Sequence, residues 1–142
     1  MSSIVKFFVA TSEAAVGMLD TGPDASFPLA SFGNFDAEEA LLEWEARLTG
    51  RSFEGIVEEG IPEVVAESEG GPAVILLSDA LLNLLVSTSI DLVNELARWW
   101  VDEKAHEGME IDLCVAQSIL RELVALIRRE RESGEDVYCW TS

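Results

Sequence analysis

Two long stretches of helical periodicity, residues 79 to about 104 and 112 to about 132, fill most of the second half of the chain and limit what the rest can be. In the first, Leu81, Leu82, Leu85, Leu92, Val93, Leu96, Trp99 and Trp100 share one arc at 100° per residue, wider than an ordinary amphipathic stripe. Such a helix is mostly buried. Its narrow polar strip carries Asn83, Ser87, Asp91, Asn94, Glu95, Arg98 and Asp102, and Ser87-Thr88-Ser89 is the place for a kink. The second stretch begins with Asp112 as N-cap, has Leu113, Ala116, Ile119, Leu120, Leu123, Val124 and Ile127 as its apolar stripe, and meets Gly134 past its end. Arg121, Arg128 and Arg129 lie opposite, toward the end where the helix dipole favours cations.

Two strand-like runs at the ends of the chain supply the layer those helices need. "SIVKFFVAT" (3–11) is rich in Val, Ile and Phe, and "DVYCWT" closes the chain. The expected architecture is one α+β domain over residues 1–142, with two long C-terminal helices packed on a small sheet that includes the N- and C-terminal strands. Ser12 followed by "EAAVGML" reads as a short capped helix, and residues 20–35, with Gly22-Pro23, Pro28 and Gly33-Asn34, as a long connection packed on the core. Asp36 with Glu39 opens a helix that places Ala40, Leu41, Trp44 and Leu48 at helical spacing and ends at Thr49-Gly50. Its Glu38, Glu39, Glu43 and Glu45 read as a solvated face. Residues 51–68 are interrupted by Gly55, Gly60 and Pro62 and read mostly as loop, with Val64-Val65-Ala66 a candidate short strand. After the Gly70-Gly71-Pro72 turn, "AVILL" is either a buried strand or the lead-in to a helix starting at Ser78-Asp79.

The order of a helix ending in Leu48-Thr49-Gly50, a Gly/Pro-broken loop, Gly71-Pro72, a long apolar helix, "ILRELVALIRRERESG" and a terminal apolar strand resembles the YfbM-like family of uncharacterised bacterial proteins. The resemblance implies an α+β fold of bacterial type. It brings no activity and no catalytic residues with it.

Charge narrows the function classes. The formal net charge is -18, with 3 basic and 14 acidic groups in residues 1–70 and 6 and 13 in residues 71–142. A surface so anionic repels phosphate backbones and anionic lipid head groups, so neither nucleic acid nor a membrane is an expected partner. Apolar runs are broken well before the roughly 18 residues a bilayer crossing needs, and no signal-peptide pattern opens the chain, so a cytoplasmic location is expected. Cys114 and Cys139 fall on different elements and are read as thiols.

For chemistry the informative stretch is "DEKAHE" (102–107), where Glu103 and His106 have the Glu-x-x-His spacing of helical metal sites. A di-iron bundle needs two such pairs and the zincins need two histidines, whereas His106 is the single histidine of the chain. The metal reading that survives is a carboxylate-rich divalent site of Asp102, Glu103, His106, Glu107 and Glu110; against it stands a histidine bonded to a neighbouring carboxylate near Trp99. Cys114 in the first turn of the last helix gains from the dipole and loses to Glu107, Glu110 and Asp112, so no nucleophile is clearly activated. No Gly-x-Ser-x-Gly, Walker-type or dinucleotide loop is present, and no cofactor is implied. Arg121 and Arg128 either contact an anion or pair with glutamates of the first half, the simpler choice. Adjacent Trp99 and Trp100 cannot point the same way, so one of them lines a pocket or interface.

The expectation is therefore an acidic, non-catalytic interaction protein, regulatory or immunity-like, that binds a basic partner protein. Its alternative is a small divalent-metal binder or metal-assisted hydrolase built on residues 102–110. Oligomeric state, monomer or homodimer, is left open by the sequence.

Overall fold

Strands β1 (Ile4–Ala10) and β5 (Asp136–Thr141) lie side by side, antiparallel, in register from Val5 opposite Thr141 to Ala10 opposite Asp136. The computed structural model describes residues 4–142, and the side chains of all of these except 131–133. Because side chains alternate along a strand, Val5, Phe7, Val9, Val137 and Cys139 enter a large core on one face, while Phe8, Ala10, Tyr138 and Trp140 enter a smaller one on the other. Both faces are covered, which is why these two segments read as unbroken apolar runs. Strand β2 (Leu29–Gly33) pairs outside β1, β4 (Ala73–Leu76) pairs with β5, and β3 (Glu63–Glu67) pairs with β4. The result is an antiparallel five-stranded sheet in the order β2-β1-β5-β4-β3, with β3 at one edge.

Six helices complete the α+β fold: α1 (Ser12–Gly17), α2 (Ala37–Thr49), α3 (Phe53–Glu58), α4 (Asp79–Ser87), α5 (Ile90–His106) and α6 (Leu113–Ser133). Helix α6 lies on the sheet against β1, β2 and β5, and its other side receives α4 and α5. Of the two long C-terminal helices expected on the sheet, α6 takes that place; α5 packs chiefly on α6 and α2 in a further layer. Trp44 of α2 and Trp100 of α5 meet edge to face at 5.1 Å and 79° in the large core, and Phe35 meets Trp100 the same way.

The smaller core is closed by α1 and the segment after it. Trp140 Nε1 donates to the carbonyl of Leu19 at 2.8 Å, and Gly22, at φ +76°, lies so close that a Cβ there would come within 3.1 Å of the indole ring.

Three segments depart from the sequence reading. The connection over 20–35 contains β2, and the loop over 51–68 contains α3 as well as the short strand β3. The helix read over 79 to about 104, with a kink placed at Ser87-Thr88-Ser89, is fully broken there into α4 and α5. Ser87 donates to the carbonyl of Asn83 and Thr88 to that of Leu84, while Ser89 caps α5 by accepting from the Leu92 N–H. The break rotates Leu92 out of the buried arc to 52% exposure. Thr11, not Ser12, is the N-cap of α1.

Candidate functional site

Helix α5 ends at His106, and the side chain from this stretch that turns inward is Lys104, buried at 4% exposure. Its Nζ lies 2.7 Å from Glu39 Oε1, 2.8 Å from Glu43 Oε1 and 3.4 Å from Glu107 Oε2. Glu39 and Glu43 stand one turn apart on α2, so both reach the same ammonium. Carboxylate oxygens of Glu39, Glu43 and Glu107 gather within 4.8 Å of one another, as a metal site would require, but Lys104 is the cation among them. Asp102, Glu103, His106 and Glu110 are exposed, and of the five residues singled out in 102–110 Glu107 alone joins this cluster.

The cluster is electrostatically uneven. Burial alone would lower the Lys104 pKa, but hydrogen bonds to Glu39 and Glu43 outweigh it and hold the ammonium well above the ordinary lysine value. Burial raises the Glu43 carboxyl, and the hydrogen bond from Lys104 only partly offsets this. The asymmetry follows from numbers: Lys104 has three carboxylates, whereas Glu43 shares its one ammonium with two competitors.

The other singled-out residues separate in the same way. Trp100 is a core residue at 0% exposure, while Trp99 is half-buried with the Arg47 guanidinium 5.4 Å over its ring. Arg121 and Arg128 are exposed and flank a small cleft of about 150 Å³ with Thr88, Ile90 and Val93. Arg121 donates to Asn94 Oδ1 at 3.0 Å, a partner on α5 in place of a glutamate from the first half of the chain. Both cysteines are free thiols, Cys114 exposed and Cys139 buried.

A different part of the chain, residues 54–69, is rich in exposed acidic side chains. Glu54 and Glu58 on α3, Glu59 after it, Glu63 and Glu67 on the edge strand β3 and Glu69 in the following turn are all exposed. Arg51 is the basic residue of this region and pairs with Glu59 at 2.8 Å. Phe53 and Val57, one turn apart on the same helix as Glu54 and Glu58, are 40% and 47% exposed. As an edge strand β3 carries main-chain groups that no sixth strand pairs, and the register shift between Val64 and Ala66 bends it locally.

Where α3 passes into β3, a cleft of about 390 Å³ is lined by Glu59, Gly60, Ile61, Glu63, Leu76 and Ser78. Behind Ser78 lies Glu45, which was expected on a solvated face and is instead 1% exposed. Its Oε1 accepts from Ser78 Oγ and its buried Oε2 has no hydrogen-bond partner. Ser78 in turn caps α4, its Oγ accepting from the Leu81 N–H at 3.2 Å. Helical phase could not reveal Glu45 as buried, because α3 and α4 cover the side of α2 that a lone amphipathic helix would leave wet.

No protein-family model, curated protein or solved structure matches the chain. No helix among the described residues is long and apolar enough to cross a membrane.

Proposed function

We propose that this is a non-catalytic interaction protein, regulatory or immunity-like, that engages a basic partner protein in the bacterial cytoplasm through its β3 edge. The observation that carries this reading is the run of six exposed glutamates between 54 and 69, which leads onto the edge strand β3, with Arg51 paired to Glu59 and the apolar Phe53 and Val57 exposed on α3. Charge of one sign concentrated beside a small apolar patch steers an oppositely charged partner and then gives it something to bury. An extended basic segment can also pair with the free edge of β3. The same charge disfavours nucleic acid and anionic lipid. The metal-assisted alternative has less support, since the one carboxylate set gathered among the described residues is centred on the Lys104 ammonium.

The test is binding to immobilised lysine- and arginine-rich peptides, with acidic peptides as controls, between about 20 and 500 mM salt, a range over which the screening length shrinks severalfold. Basic peptides should bind, and the affinity should fall steeply with salt. Reversal of Glu54, Glu58, Glu67 and Glu69 to lysine should abolish binding, while reversal of Asp102, Glu103 and Glu110 should leave most of it. Affinity that is indifferent to salt, or equal losses in the two sets, would overturn the reading.

A further inference from the structure

The cleft at this edge has exposed carboxylates at its rim and, behind its Ser78, a buried one that is only partly satisfied. Glu59 and Glu63 stand at its rim, Ile61 and Leu76 are half-buried in its walls, and Ser78 links it to the Glu45 carboxylate, which is 1% exposed. We propose that this cleft receives a single organic cation, the ammonium or guanidinium of a lysine or arginine side chain carried by the basic partner. The assignment rests on the reading of the β3 edge as the partner surface and names the point on it that anchors the partner.

Three features favour such an occupant. The first is charge: Glu59 and Glu63 line the cleft and Glu45 lies behind Ser78, and Arg51 has its guanidinium bound to Glu59 and interacts electrostatically with Glu45. Glu63 at the rim has no ion pair among the described residues. The second is the state of Glu45. A carboxylate out of water is costly unless its oxygens are bonded, and here a serine hydroxyl serves Oε1 and Arg51 interacts at longer range, while the buried Oε2 accepts no hydrogen bond. Ser78 Oγ donates to Glu45 and accepts from Leu81, which leaves the hydroxyl one lone pair for an incoming N–H donor. The third is shape: apolar Ile61 and Leu76 beside acidic groups suit a methylene stem with a charged head. A divalent metal fits less well, because among the described residues the carboxylates of this cleft do not converge to ligating distance as Glu39, Glu43 and Glu107 do.

Calorimetric titration of the full chain with an octa-arginine peptide, with spermidine and with calcium chloride tests the assignment. Wild-type protein should bind the peptide. Glu63→Gln should weaken it about tenfold and Glu45→Gln, although the residue is buried, by at least as much, while the doubly substituted Glu67→Gln, Glu69→Gln protein should lose no more than two- to threefold. Should Glu45→Gln fail to fold, exposed Glu63 against the Glu67, Glu69 pair decides the matter. No peptide binding by wild-type protein would sink both this assignment and the acidic-edge reading. Peptide binding that depends on Glu67 and Glu69 as much as on Glu63 would leave the edge and remove the cleft. Spermidine bound as tightly as the peptide would make a free polyamine the ligand, and calcium bound in preference to either would make the cleft a metal site; each overturns the assignment.

Discussion

At 2.7 and 2.8 Å from two carboxylates of α2 and 3.4 Å from Glu107, the Lys104 ammonium ties α5 to α2 where the two helices would otherwise present like charges to each other. Lys104→Met keeps most of the stem and removes the charge. Because Glu39 and Glu107 still see water, we expect a loss of about 2–3 kcal/mol, below the full cost of breaking a buried pair, measured by urea denaturation. The pH dependence separates the partners. The raised Lys104 value gives a contribution complete below its unfolded value of 10.5 and lost only as pH climbs through the higher folded one, so it is intact at neutrality. Glu43, raised from 4.5 by burial, binds its proton more readily in the folded chain than in the unfolded one. Wild-type stability relative to Glu43→Gln should therefore increase as pH falls from 7 toward 4.5, and a difference that is flat or of opposite slope would contradict the assignment. The cysteines give a simpler residue-level test. Burial pushes the Cys139 thiol far up, whereas Cys114 is exposed in the first turn of α6, so iodoacetamide should label Cys114 in the native protein and Cys139 only after denaturation, as read by mass spectrometry.

Helix ends are where the elements of this fold are most sharply defined. Asp112 Oδ1 accepts from both Cys114 N–H at 2.8 Å and Val115 N–H at 3.2 Å, while Ser89 caps α5 through one longer bond at 3.3 Å. Asp112→Ala should cost about 1–2 kcal/mol and Ser89→Ala about 1 kcal/mol or less. Both should lower the urea midpoint without changing the slope, because α6 touches the sheet, α4 and α5 and does not unfold alone. The same local chemistry explains what could be read in advance. Asp36 and Gly50 bracket α2, and Asp112 and Gly134 bracket α6, and these helices match their sequence patterns closely. Strand β2 escaped because Leu29–Gly33 sits between Pro28 and Asn34 and becomes a strand only by pairing with β1. Helix α3 was obscured by Gly55 and Gly60, although Ser52, which accepts from the Gly55 N–H, was a usable start signal. The candidate site was least legible of all. Glu45 meets Ser78 across 33 positions and Lys104 meets Glu39 across 65, separations at which periodicity says nothing.

Charge acts on the whole molecule in two opposing ways. At -18 the folded chain holds its negative groups closer together than the unfolded chain does, so self-repulsion destabilises it, and salt should relieve that repulsion. Raising ionic strength from about 20 to 200 mM shortens the screening length from roughly 20 to 7 Å. We expect a gain of about 1 kcal/mol, which for a chain of 142 residues raises Tm by about 3–5 °C. Association with a basic partner depends on the same field with the opposite sign and should weaken over that range. The reversal of Glu54, Glu58, Glu67 and Glu69 to lysine tests both effects together. Each substitution changes the charge by two and the set takes the chain from -18 to -10, so the low-salt Tm should rise and its salt dependence should shrink. All four side chains are exposed, so little packing is disturbed. If acidity around β3 serves only general solubility, that protein should bind basic peptides almost as well as a four-site reversal elsewhere, such as at Glu13, Glu38, Glu103 and Glu122. If the edge is the partner surface, the two proteins should match in Tm and differ by an order of magnitude or more in affinity.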